Sequence, residues 1–422
     1  HALALAEHAN ERERALIRAL SLRYAATPPA ERAALDTAYA HAMADVADRY
    51  PDDAEAAVLY GESLMDLSPW EYWTAEGEPR PGTEDALASF ERVLATNENH
   101  PGACHFFIHA VEAVYPERAV PCAERLAGLM PGAGHIVHMP GHIYIRVGRY
   151  MDAIEANQHA VHADESYIRD QRPGVSVYTL GYYPHNYDFM AFAASMAGRE
   201  EIALDAAEQV ATLVPAEMLG APGFDFLQHW MTRPLQMQIR FGHWADILDT
   251  PAPPDGLPHA LAMWHYARGR AFAAQGDVAA ADDELDALVA AAADPSLEGI
   301  GLEFNLASDI LGIAVEVLSG FVAEARGDED AAIRHLRDAA RLEDALVYGE
   351  PPEWSVPVRQ ELGRVLLAAG QAAEAERVFR EDLERFPENG WSLGGLAEAL
   401  RAQGKAGEAA AVEARIDEGF GG

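Results

Sequence analysis

Apolar runs of helical length follow one another along this chain, and a short signature joins them in pairs. At six places a Gly closes one run and an Ala five residues later sits inside the next: Gly148 with Ala153, Gly198 with Ala203, Gly276 with Ala281, Gly327 with Ala332, Gly370 with Ala375 and Gly404 with Ala409. A Gly at such a junction supplies the left-handed backbone that ends a helix, and a small Ala lets the following helix pack closely on the first. The pattern predicts two-helix repeat units and an all-α fold.

The spacings between those glycines are 50, 78, 51, 43 and 34 residues. Only the last equals the 34-residue period of a tetratricopeptide repeat. The longer spacings leave room for long loops or for one degenerate unit around Gly242. Segments such as HIYIRVGRYMDAIEANQHAV and LGGLAEALRAQGKAGEAAAVEARI resemble tetratricopeptide units. The expected architecture is therefore an all-α, tetratricopeptide-like helical-repeat solenoid with an elaborated, His-lined amino-terminal part. The Pro-rich stretch at 249–258 is the clearest break in the pattern. It predicts a His-rich repeat domain over 1–250, a linker over 251–258 and plainer repeats over 259–422.

Composition changes this picture in two ways. Hydrophobic residues make up 50% of the chain, enough for a continuous core, while apolar runs stay short of the ~18 residues that suggest a membrane span. With 31 basic against 68 acidic residues the net charge is -37, which repels nucleic acid and anionic membranes and favours a cationic protein partner or high-salt surroundings. The two cysteines add little. If 102–114 and 117–130 are the helices of one hairpin, Cys104 and Cys122 stand at opposite ends, too far apart for a disulfide, and read as two small buried residues. The chain opens on HALALAEHAN, within a helical pattern and without an initiator Met. That opening predicts a segment ahead of His1, a signal peptide of an exported protein or a further repeat, and is equally compatible with a cytoplasmic location.

The chemistry concentrates in the histidines. Six of the 17 fall between His100 and His142: His100, His105, His109, His135, His138 and His142. In HPGACHFFIHAVE a helix starting near Pro101 carries His105, His109 and Glu112 within roughly 60° of one another. Burying three such groups together needs a compensating partner, for which a metal ion is the leading candidate. In GAGHIVHMPGHIYIRVG the helix is expected to start at Pro140–Gly141, leaving His135 and His138 on the entering loop and His142 in the first turn, where a helix N-terminus keeps it neutral. His185 follows another Pro in YYPHNYDF and opens the next unit. First helices of successive units would line a concave surface, bringing His105, His109, His142 and His185 to one groove with His138 at its rim. Tyr144, Tyr178, Tyr182, Tyr183 and Tyr187 would flank it, alongside Trp70, Tyr72 and Trp73 from SPWEYWT. His159, His162, His229, His243, His259 and His265 are given no role.

Taken together, PWEYWT, NHPGACHFFIHAVE, PGAGHIVHMPGHIYIRVGRY and YYPHNYDF, across about residues 58–200, resemble a large bacterial group of tetratricopeptide-repeat proteins with an analogous series of blocks. The resemblance covers roughly a third of the chain. It implies that the group's histidine positions map onto His100, His105, His109, His138, His142 and His185, and its acidic position onto Glu112. Members of the group often begin with a secretion signal and an additional repeat. The resemblance names no reaction.

Two functions follow from these readings. The first is a metal-binding repeat protein, and more specifically a transition-metal-dependent enzyme of unknown reaction. Its ligands would be drawn from His105, His109, His138, His142 and His185, with Glu112 as ligand or general base. Imidazole with one carboxylate suits zinc, copper, iron or nickel, and an open position would take a small molecule or peptide in the groove. The second is a scaffold that binds a peptide or protein, with the histidines as structural hydrogen-bonding groups. Phosphate-binding Gly-Lys loops, paired Cys motifs and His-Glu-x-x-His are all missing from the sequence.

Overall fold

The computed structural model describes residues 2–420 apart from 28, 75, 220 and 222. His1, where the expected missing segment would join, lies outside the described residues. Among the described residues there is no strand, only two isolated bridges, Trp73 with Pro79 and Gly301 with Leu306. None of the helices is long and apolar enough to cross a membrane, among the described residues. The chain divides into two compact units, 1–143 and 144–422.

The first unit is a succession of helices, each packed on its neighbour: Glu11–Leu22, Ala33–Arg49, Ala54–Met65, Thr83–Thr96, Pro101–Val111 and Val120–Leu129. Their starts are chemically marked. Asn10 and Glu13 form a reciprocal capping box, and the Asp53 carboxylate accepts from the amides of Glu55 and Ala56, so donors left over by helix geometry are satisfied. Tyr39, Met43 and Val46 share one face of Ala33–Arg49 and bury against Ala19 and Ala56. Each large side chain buried in this way contributes about 1.5–3 kcal/mol.

The segment between Ala54–Met65 and Thr83–Thr96 folds back on itself. The amide of Arg80 donates to the Tyr72 carbonyl at 2.9 Å, and Thr83 Oγ1 donates to the same carbonyl at 2.8 Å. Trp73 Nε1 donates to the Ala110 carbonyl at 2.8 Å, which pins this loop to the helix Pro101–Val111. The loop is thereby held over the helix that carries the first histidines.

The second unit follows the Gly-to-Ala signature closely. Gly148, Gly198, Gly276, Gly327, Gly370 and Gly404 all have φ between 66° and 79°. Their partners Ala153, Ala203, Ala281, Ala332, Ala375 and Ala409 are 0 or 1% exposed. Gly242, the expected degenerate junction, ends Arg233–Phe241 at φ 76°. Successive antiparallel helices such as Pro258–Gln275 with Val278–Ala292 and Ala307–Ala325 with Glu329–Asp344 pack as pairs. The fold is all-α and tetratricopeptide-like.

The division differs from the one expected at 249–258. Ile247 before that stretch and Met263 after it are buried in one core that runs from Leu235 to Val412, and Trp264 Nε1 donates to the Thr250 carbonyl at 3.0 Å. Prolines there interrupt helical hydrogen bonding without separating the side chains on either side. The boundary between compact units lies instead at 143/144, within the helix Pro140–Arg146.

Candidate metal centre

The helix Pro101–Val111 starts where expected, with Pro101 at its first position and His100 as its cap. His100 Nδ1 accepts from the Ala103 amide at 3.2 Å. This histidine closes the helix end. The helix stops at Val111, and Glu112 caps the other end. His105, His109 and Glu112 project from one face as their spacing requires, with His109 and Glu112 buried and His105 partly exposed.

Facing them is a second segment whose local structure differs from expectation. His135 and His138 lie on a short helix, Gly134–His138, and not on a loop. Pro140 has no amide proton, so the helical ladder is interrupted and a new helix, Pro140–Arg146, begins at once in the same direction of travel. The amide of Met139 still donates to the His135 carbonyl at 3.2 Å and that of His142 to Met139 at 3.2 Å. His135, His138 and His142, at i, i+3 and i+7, therefore keep a common face.

The two faces meet through their side chains. His105 Nε2 and His135 Nε2 are 3.1 Å apart. His109 Nδ1 lies 3.3 Å from Glu112 Oε1, and His142 Nδ1 lies 3.1 Å from Glu112 Oε2. His138 Nε2 and His142 Nε2 are 2.9 Å apart. One ligand atom each from His105, His109 and His135 falls within 4.8 Å of the others, and the same holds for His109, Glu112 and His142.

The electrostatics favour neutral His105 and His135 beside an ionised Glu112. Burial, then the neighbouring His109, His135 and His142, drives the His105 pKa well below its ordinary range. Burial, then His109 and His142, brings His135 down to about 3, with Glu112 acting the other way. At Glu112 burial opposes ionisation, but His142 and His109 outweigh it and hold the carboxyl at about 2. An ionised carboxylate only accepts, so the Nδ1 atoms of His109 and His142 that face it do so as donors, and any lone pair left on those rings stands on Nε2.

Trp70 closes one side. Its ring meets His109 edge-on at 5.0 Å between centroids, although the side chain is 49% exposed. Its φ of 65° is left-handed backbone, unusual for a bulky residue and a mark of stored strain, which gathers at functional sites. The next aromatic residue, Tyr72, is hydrogen-bonded to the Trp70 backbone, and burial pushes its hydroxyl to about 12.

Of the expected site residues, the first unit brings His105, His109, Glu112, His138 and His142 into one cluster. His185 belongs to the second unit, on Tyr183–Met196, its ring 4.9 Å from Phe189. His135, left out of the expected ligands, is the residue sequence reasoning missed. Its i, i+3, i+7 relation to His138 and His142 was the available signal, hidden by reading Pro140 as the end of a loop. His159 and His162 are exposed, in keeping with no role. His229 and His259 form a buried pair in the second unit, Nδ1 to Nε2 at 3.0 Å, and His229 Nε2 donates to the Glu353 carbonyl at 3.0 Å. His243 Nε2 lies 2.6 Å from Glu200 at the surface, and the part-buried His265 Nδ1 lies 2.6 Å from Glu284. The five tyrosines expected beside the groove lie at 144 and beyond, in the second unit.

The fold and this cluster define an all-α tetratricopeptide-like protein with an imidazole-rich centre. No protein-family model matches the chain, and no curated protein matches it. Among solved structures it is similar to the human IFIT1 dimer with m7Gppp-AAAA, at 12% identity over 90% of this chain and 76% of that one, with a TM-score of 0.37. A monomeric mutant of IFIT1 with Gppp-AAAA gives 13%, 92%, 77% and 0.36, and the human IFIT1 dimer with PPP-AAAA 13%, 90%, 78% and 0.34. Likeness at that level carries no argument about ligands.

Proposed function

We propose that this protein binds a divalent transition metal ion through His105, His109 and His135 and that the centre is that of a metal-dependent enzyme. The observation that carries the reading is the meeting of His105 Nε2 and His135 Nε2 at 3.1 Å, beside a His109 whose Nδ1 is taken by Glu112. Two neutral imidazoles that turn the same nitrogen toward each other, with a third alongside, form a donor set suited to zinc, copper or iron. Three imidazoles leave a coordination position for a small molecule or peptide. The partial exposure of His105 and His135 beside the buried His109 supports access from solvent. When bound, the ion would supply Lewis acidity.

The chain's own groups do the positioning. Glu112 fixes the proton on Nδ1 of His109 and so aims its Nε2, the usual task of a carboxylate behind a metal-bound imidazole. Its other oxygen does the same for His142. In this role Glu112 is a positioning residue. Trp70 packs against the edge of His109 and shields it. The sequence resemblance to a bacterial tetratricopeptide group with analogous histidine blocks agrees with this reading.

Elemental analysis of untagged protein, followed by zinc titration, tests it. About one ion per chain is expected, lost in a His105→Ala, His109→Ala double variant that keeps its helical circular dichroism. Parallel measurements on His138→Ala, His142→Ala and His185→Ala decide which further expected ligands count. Protein that carries no transition metal and takes up no zinc, copper or iron overturns the proposal. In its place would stand the scaffold reading, favoured by the net charge of -37, with a basic peptide segment as the ligand.

A further inference from the structure

Cys104 and Cys122, expected at opposite ends of a hairpin, come level on the packed helices Pro101–Val111 and Val120–Leu129, with both side chains buried. Cys104 Sγ donates to the Glu98 carbonyl at 3.8 Å, and Arg125 Nε, one turn beyond Cys122, donates to the same carbonyl at 3.1 Å. The levelling has a simple cause. The first helix ends at Val111, so Cys104 lies roughly 10 Å back from the turn at a rise of ~1.5 Å per residue. Beyond the turn, Pro116–Ala119 forms a 3-10 helix with a rise of ~2.0 Å per residue, which lifts Cys122 through roughly the same height. Phe107 and Arg118, 5.6 Å apart from ring centroid to guanidinium, mark the same register one turn nearer the bend.

We propose that Cys104 and Cys122 are a redox dithiol that closes to an intramolecular disulfide and so stiffens the histidine centre. Cys104 immediately precedes His105 on Pro101–Val111, and Cys122 sits on Val120–Leu129, the helix that leads to Gly134–His138 and His135. A bond between them ties together the two segments that supply the three imidazoles. This consequence rests on the metal reading; disulfide formation itself does not.

The reaction balances with a small disulfide such as oxidised glutathione. One protein thiolate attacks a glutathione sulfur, breaking that S–S bond and releasing one glutathione thiolate. The second protein thiolate then attacks the mixed disulfide, forming the Cys104–Cys122 bond and releasing the other glutathione. Two protein thiols are oxidised and one glutathione disulfide is reduced. The two protons lost by the cysteines pass to the departing thiolates.

The full chain, unfolded and reduced, is refolded in a glutathione redox buffer, alkylated and digested. The expected product is a linked pair of peptides containing Cys104 and Cys122, in protein about 2 Da lighter than the reduced form. Melting should rise by roughly 5 °C or more, because the cross-link restricts the unfolded chain, and the rise should vanish with dithiothreitol and in Cys122→Ala. Full alkylation of both cysteines, or glutathione adducts without a linked pair, overturns the disulfide. Zinc titration of both forms separates the two ideas. Severalfold tighter binding by the oxidised form is expected, and equal affinity overturns the stiffening. Zinc binding by neither form overturns the metal reading while the linked peptides still establish the disulfide.

Discussion

His105 Nε2 lies 3.1 Å from His135 Nε2 although 30 residues separate the two in sequence. No local periodicity links them; the contact exists because the helices Pro101–Val111, Val120–Leu129 and Gly134–His138 pack in succession and return the chain to its starting face.

If that contact is half of a metal centre, His135→Ala should weaken zinc binding by at least about tenfold, as loss of a direct ligand requires. His159→Ala, an exposed control on Tyr150–Gln171, should leave it unchanged. Competition titration against a chelating dye gives both affinities, and equal values for the two variants would remove His135 from the ligand set.

Glu112→Gln tests the positioning role. The amide keeps the shape of the carboxylate but is uncharged and can accept through only one of its two heteroatoms, so at least one of the His109 and His142 Nδ1 protons loses its acceptor. Zinc affinity should fall by about 10–100-fold with near-normal stoichiometry. Stoichiometric loss of the ion would instead make Glu112 a direct ligand.

His100 separates capping from coordination. The resemblance maps it onto one of the group's histidine positions, but its Nδ1 serves the Ala103 amide. His100→Ala should lower stability by about 0.5–2 kcal/mol, the usual value of a lost helix cap. Metal content should not change. Urea unfolding and elemental analysis of the same preparation report the two effects, and a loss of metal at full stability would contradict the assignment.

Glu343 predicts a pH dependence in the second unit. Its carboxylate is 3% exposed and accepts from the Val358 amide at 3.1 Å, and burial, only partly offset by Arg385, raises its pKa from 4.5 to about 7. The folded state therefore holds the proton more tightly than the unfolded chain. The stability this contributes is complete below about 4.5 and is lost as pH rises through about 7. Relative to wild type, Glu343→Gln should gain on the order of 2–3 kcal/mol between pH ~4.5 and ~7.5. Urea midpoints across that interval measure it, and a difference that stays constant with pH would show that Glu343 does not titrate abnormally.

Much of this protein is legible in its sequence because the relevant signals are local. Gly276 ends a helix at φ 78° and Ala281 is fully buried in the next for reasons confined to one junction. His105, His109 and Glu112 share a face because helical geometry alone sets the angles between them. Other features depend on how separate elements pack. His135 meets His105, Cys122 comes level with Cys104, and Ile247 and Met263 share a core across a Pro-rich stretch. Periodicity determines which side chains point the same way within an element; distances across elements follow from where each helix stops and how side chains fill the space between neighbours. The stop of one helix at Val111 and the start of another at Pro140 set those distances, so only the tertiary structure decided which histidines meet and which cysteines come level.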